Sequence, residues 1–159
     1  MESVAVMQDE QSVEALYRRD AERLWRAVYA FTTDSEVASD AVAEAYAQVL
    51  GRGSAVRDPA GWTWRAAFRI AAGALKARRA GGETQREDVA EPDRYADQDL
   101  LTCLHQLPDA QRAAVILFYY VDLPIREIAS RLGSNGLAVR ANLSRGRKRL
   151  RQLLGDDHG

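Results

Sequence analysis

From residue 12 onward the apolar positions recur every three to four residues. Leu16, Leu24, Val28 and Phe31 fall on one face, with Tyr17, Ala21 and Trp25 beside them, which predicts a helix over 12–31. Thr33 stands three residues before Glu36, the spacing of a capping box, and predicts the start of a second helix. That helix runs to about Leu50, with Val42, Ala45, Tyr46 and Val49 as its apolar stripe. "GRGSAVRDP" reads as a loop. Asp58 followed by Pro59 suits an N-cap and a first helical position, opening a third helix that reaches about Arg79.

The pattern then breaks. "AGGETQREDVAEPDRYADQD" combines two glycines, a proline and dense acids, and reads as a linker. Helices resume with "LLTCLHQL", which stops before Pro108, and with the strongly apolar "DAQRAAVILFYYV". Pro124 opens "IREIASRL", Gly133 ends it, and Asn135 can cap a last helix. The expected fold is therefore all-α, with two small helical domains joined by an acidic flexible linker. The expected division is 1–80 for the first domain, 81–99 for the linker, 100–155 for a helix-turn-helix domain and 156–159 for a tail.

Composition adds exclusions. A content of 47% hydrophobic residues supports packed cores. One cysteine rules out an internal disulfide, and one Cys with two His leaves no soft-ligand metal cluster. Cys103 and His105 are two residues apart on a helix and point in different directions, and no Gly-rich phosphate loop appears. An enzyme is not expected, nor a metal or cofactor. No apolar run is long enough to span a bilayer, and the N-terminus lacks the pattern of a signal peptide. The cytoplasm is the expected location.

Charge is sorted along the chain. The net charge of -1 hides a balanced stretch to Ala80, an acidic middle and a basic end. Within "GLAVRANLSRGRKRLRQLL" there are six cations and no acid. Val139, Leu143, Leu150 and Leu153 form one stripe of that helix, with Gly146 inside it. Arg140, Arg147 and Arg151 lie on one flank, Arg145 and Arg149 on the other, and Lys148 between them. A solvated face usually mixes signs. An unmixed basic helix that follows a compact helix and a short turn is helix-turn-helix organisation, whose second helix enters the major groove.

"LPDAQRAAVILFYYVDLPIREIASRLGSNGLAVRANLSRGRKRLRQLL" resembles region four of bacterial sigma factors of the extracytoplasmic-function group. "LYRRDAERLWRAVYAFTTDSEVASDAVAEAYAQVL" resembles region two of the same group, with Asp40, Glu44 and Tyr46 in its acidic docking segment. "DPAGWTWRAAFRIAAGALKARR" matches the segment that follows. The resemblance implies that Asp40, Glu44 and Tyr46 bind the β′ clamp helices of core RNA polymerase. It implies that Trp62, Trp64, Arg65, Arg69, Lys76, Arg78 and Arg79 hold the melted promoter strand. Of the two tryptophans, Trp62 is the one expected to face the core. The second domain would read duplex promoter DNA with Asn135, Leu137, Ala138, Arg140, Asn142, Arg145, Arg147 and Lys148, and touch the β flap. An anti-sigma factor is a further partner of many such proteins. The implied function is promoter recognition and DNA opening in transcription initiation.

The chain departs from the family pattern in places. Ala43 replaces a glutamine of the docking segment, and Phe68 and Arg69 stand where an Arg-Asn pair is usual. Asn142 replaces a common arginine. Asn reads adenine bidentately where Arg reads guanine, so an altered promoter preference is one consequence. A degenerate relative that binds DNA or polymerase without initiating is the alternative reading.

Overall fold

A computed structural model describes residues 2–82 and 98–158; side chains are described over 12–82 and 99–155. The expected linker lies almost wholly outside the described residues, as does the tail's last residue. Seven α-helices occur among the described residues: α1 (Glu2–Thr32), α2 (Ser35–Arg52), α3 (Pro59–Ala80), α4 (Gln98–His105), α5 (Asp109–Val115), α6 (Ile125–Leu132) and α7 (Gly136–His158). The all-α expectation holds, and no strand occurs among the described residues.

Local signals set most helix ends. Asp58 accepts a hydrogen bond from the Gly61 backbone N–H at 3.1 Å and Pro59 opens α3, as expected. The start of α2 is different. Asp34, not Thr33, is the cap, and its Oδ1 accepts from the Val37 backbone N–H at 3.1 Å. Thr33 takes φ 54, in the left-handed region, to turn the chain between α1 and α2. A carboxylate is favoured there because Asp34 also pairs with Arg78 from α3. The first helix begins at Glu2, ten residues earlier than the apolar stripe indicated. A stripe reports where a helix packs, and a helix can extend beyond its packed part.

α1, α2 and α3 pack together around Leu24, Val28, Phe31, Ala45, Ala67 and Leu75. In the second half, α5 runs into a π-helical turn at Ile116–Tyr120, where the Val121 N–H reaches the Ile116 carbonyl at 3.1 Å. α5 packs very closely on α7. A Cβ at Gly146 would lie 2.8 Å from Val115 Cγ2, so only glycine permits this approach. That explains a glycine in the middle of an otherwise apolar stripe.

The two halves share one apolar core in the described structure. Leu104, Leu117 and Ile128 join the same cluster as Phe31 and Trp64. Arg112 is fully buried at this seam. Its guanidinium donates to the carbonyls of His105 (3.2 Å) and Leu107 (3.0 Å) and to Asp109 (3.0 Å), and lies 4.4 Å over the Phe31 ring. Burial, then the charges of Arg112 and Arg79, hold the nearby His105 imidazole down to about 4.

Candidate nucleic-acid interface

The second half presents a helix-turn-helix. α6 ends at Gly133, whose φ of 63 is the left-handed conformation that glycine adopts without strain. The Ser134 N–H returns to the Ala129 carbonyl at 2.8 Å, closing the turn. Asn135 then caps α7, its Oδ1 accepting from the Ala138 N–H at 2.9 Å. Val139 and Leu143 are buried, and Leu150 is half-buried against the same core. The expected anchoring of α7 is therefore present.

The opposite side of α7 is open and basic. Arg140, Arg145, Arg147, Lys148, Arg149 and Arg151 are exposed. Arg147 Nη1 donates to the Tyr119 hydroxyl at 3.1 Å, which steadies it against the π turn. Asn135 and Leu137 are exposed, whereas Ala138 and Asn142 are half-buried on a flank of the helix. Asn142 thus points less directly outward than Arg140.

The face of α3 assigned to the melted strand divides into three groups. Trp64 does not belong to it: the side chain is 0% exposed and its Nε1–H donates to Asp20 Oδ2 at 2.5 Å. The guanidinium of Arg131, from α6, lies 4.8 Å over the same indole. Trp64 is a core residue at the seam, and Trp62, expected to be the more buried, is the half-buried one. The reversal has a simple cause. Asp20, buried on α1, meets α3 on the Trp64 side and gives that indole N–H a buried acceptor. A second group is engaged, with Arg65 and Arg79 exposed and Arg78 half-buried. Arg65 donates through Nε and Nη2 to the Ser130 carbonyl at 3.2 and 2.8 Å. Arg78 is paired with Asp34, and Arg79 is 3.9 Å from Asp109. Arg69 and Lys76 form the third group, exposed on the surface of α3.

A cationic cleft that sequence reasoning missed lies beside Trp62. Arg52, Arg57, Arg65 and Trp62 line it with Ala55, Val56 and Asp58, around a volume of about 200 Å³. Arg52 lies 5.2 Å over the Trp62 ring. The available signal was the pair of arginines in the "GRGSAVRDP" loop, placed just before Trp62.

Asp40 and Glu44 are exposed on α2, with Ala43 between them. Gln48 Nε2 donates to Glu44 Oε1 at 3.0 Å. Tyr46 is not on this face. It is 6% exposed, packs edge-on to Tyr17 at 5.0 Å, and its hydroxyl has no hydrogen-bond partner among the described residues. Burial, then the nearby Asp20 carboxylate, push its ionisation well above the usual phenol range. Its position one turn from Val42 on the buried stripe accounts for this. A groove of about 480 Å³ runs alongside the acids, between Tyr17, Ala21 and Trp25 of α1 and Ser39, Val42 and Ala43 of α2. Trp25 Nε1–H donates to Ser39 Oγ at 3.0 Å across it. Tyr17, Ala21 and Trp25 follow one another at intervals of four, a second stripe that the sequence displays.

Comparison with known proteins finds sigma factors. Residues 97–150 match the family described as sigma-70, region 4. The RNA polymerase sigma factor SigV of Bacillus subtilis (strain 168) is 28% identical over 142 residues, covering 84% of this chain and 86% of that protein. Residues 97–150 thus carry the sigma-70 region 4 pattern, and over most of its length the chain is similar to a sigma factor. Two solved sigma factors share the fold. RpoE of Bartonella quintana, solved with the anti-sigma factor NepR, matches with TM-score 0.77 at 17% identity, covering 91% of this chain and 98% of that one. CnrH, solved with the cytosolic domain of CnrY, matches with TM-score 0.69 at 19% identity, covering 98% and 95%.

One departure from the family pattern loses its force. Phe68 is buried and packs edge-on to Phe31 at 5.3 Å, so it takes no place on the DNA face. Arg69, next to it, is exposed. Ala43 does sit on the surface, so the missing glutamine is a real change to the acidic face of α2. No helix among the described residues is long and apolar enough to cross a membrane, and no group of His, Cys, Asp and Glu that could hold a metal occurs among them.

Proposed function

We propose that this protein is a sigma factor of the extracytoplasmic-function group, which binds core RNA polymerase and directs promoter recognition and DNA opening. The observation that carries this reading is the open, unmixed basic face of α7, presented by a helix-turn-helix with a left-handed glycine turn. In this reading the first domain spans 1–80, the linker 81–99 and the second domain 100–155. Asp40 and Glu44 dock the protein on the β′ clamp helices, and the groove beside them extends that surface with Tyr17 and Trp25. The duplex promoter lies along α7, where Asn135, Leu137, Ala138, Arg140 and Asn142 face bases or flank them. Arg145, Arg147 and Lys148 meet phosphates, which position the protein without reading sequence. Single-stranded DNA runs over Trp62, Arg65, Arg69, Lys76, Arg78 and Arg79. Stacking on an aromatic contributes about 1–3 kcal/mol per base, which makes the half-open Trp62 with its arginine neighbours the favoured base platform. The β flap is the partner of the second domain.

Capture of the melted strand requires rearrangement. Arg65 is held by Ser130 and Arg78 by Asp34, so neither is free to take a phosphate in the closed arrangement. Opening of the seam between α3 and α6 on polymerase releases Arg65. An anti-sigma factor is a further proposed partner, supported by the two solved neighbours, each captured with a partner protein. The cytoplasm, where polymerase and promoter DNA are found, is the proposed location.

A second reading is favoured by Ala43 and by the enclosed Trp64: a regulator that binds polymerase or DNA and does not itself initiate. Run-off transcription with purified core polymerase across genomic promoter fragments tests both. A discrete transcript that depends on the protein supports initiation. Binding to core without any transcript supports the regulator, and binding to neither core nor DNA overturns both.

A further inference from the structure

α7 has a direction that its charges do not reveal. Val139, Leu143 and Gly146 face the core, so at about 100° per residue the side that points furthest from the core begins at Leu137. Ala141 and Ser144 continue that ridge, and both are short. Arg140 and Arg145 stand to either side. The outermost line of the helix's first two turns is therefore thin, with Leu137 as its one long apolar side chain and cations only at its margins. Leu137 is 79% exposed, more than any other large apolar side chain among the described residues. No long side chain from the next turn lies in line to cover it.

An apolar side chain at this point has a specific partner in duplex DNA. The first turn of a recognition helix is the part that reaches base edges. The thymine 5-methyl is the only apolar group that the four base pairs present in the major groove. Leu137 has no donor or acceptor, so it cannot satisfy a guanine, an adenine or the amino group of cytosine. The absence of acid from Gly136 to Gly155 lets the helix approach the phosphates closely enough for such a contact.

We propose that Leu137 is a specificity-determining residue that packs on a thymine 5-methyl group in the upstream duplex element of the promoter. The proposal rests on the promoter-recognition reading above. It places at least one thymine in the preferred site, contacted through its methyl and not through a hydrogen bond, with Arg140 beside it on the neighbouring base or phosphate.

Methyl deletion in the DNA tests this directly. The holoenzyme assembled from core polymerase and this protein is titrated with its preferred promoter fragment, in which each upstream thymine is replaced in turn by deoxyuridine. One replacement is expected to weaken binding about fourfold, the worth of one buried methyl. With Leu137→Ala the thymine promoter is expected to weaken by a similar or larger factor, and the same uracil replacement to have no further effect. Leu137→Met, which keeps an apolar chain of similar volume, should restore most of the methyl dependence. Indifference of the parent to uracil at every position overturns the proposal while leaving promoter recognition standing. So does a variant that stays as methyl-sensitive as the parent, or one whose only defect is in binding core, which would make Leu137 a protein contact. Failure of the parent holoenzyme to prefer any promoter overturns the recognition reading and this proposal with it.

Discussion

Replacing Trp64 by Phe separates a structural tryptophan from a strand-stacking one. In the folded protein the indole N–H donates to Asp20 at 2.5 Å, and Asp20 is itself buried with Arg23 at 3.9 Å as its other charged neighbour. Phe removes this donor and leaves the carboxylate in an apolar seam. Loss of a hydrogen bond to a buried charged group costs about 1.5–3 kcal/mol. The smaller ring leaves a void worth about 1 kcal/mol. It also weakens the stacking of Arg131, whose guanidinium lies 4.8 Å from the indole, by about 0.5–1 kcal/mol. The total is roughly 3–5 kcal/mol, and in a chain of this size each kcal/mol moves Tm by about 2–4 °C. A thermal melt followed by circular dichroism should therefore show Tm lower by roughly 6–20 °C. Asp20→Asn keeps an acceptor for the indole, removes the buried charge, and should cost less. The two changes together should cost less than their sum, because they break one bond. At a temperature where both proteins are folded, promoter opening per folded molecule should be unchanged. A Tm within about 2 °C of the parent, or a well-folded variant that has lost promoter opening, would refute the structural assignment.

Three further outcomes are expected. Reversing Asp40 and Glu44 to Lys should weaken binding to core polymerase at moderate salt and leave the melting curve unchanged, since both are exposed and neither supports the core; unchanged affinity would return them to the role of a solvated face. In holoenzyme, Arg140→Ala should cost about 1–3 kcal/mol at the preferred promoter and little on scrambled DNA, whereas Lys148→Ala should weaken all duplexes alike and lower the salt slope by roughly one unit. Promoter titrations at several salt concentrations distinguish the two patterns. The third concerns pH. His105, held down to about 4 by burial and by Arg112 and Arg79, stays neutral in the folded protein where an unfolded chain with the ordinary value of 6.5 takes up a proton. Its contribution to stability is therefore constant above about pH 7 and declines as pH falls from about 6.5 to 4. Urea midpoints across that window should fall less steeply for His105→Gln than for the parent, and equal slopes would refute the linkage.

The residues that spoke plainly in the sequence are those whose roles are local. Asp58 and Pro59 start α3, Gly133 and Asn135 shape the turn before α7, and the stripe of Val139 and Leu143 anchors that helix. Each depends on contacts within a few residues or on helical periodicity, so neither needed the rest of the fold. The basic face of α7 was legible for the same reason. What the sequence could not decide was which of two equivalent-looking residues faces a partner distant in the chain. Trp62 and Trp64 are two positions apart on one helix, and Asp20, 44 residues before Trp64, determines which is buried. Tyr46 sits in a motif read as docking, yet α1 covers it through Tyr17. Arg65 and Arg78 look like free cations until Ser130 and Asp34 are brought to them. Periodicity and capping determined the helices and the turn because these are short-range. Burial and pairing at the seam belonged to the tertiary structure alone, because they depend on which helices meet.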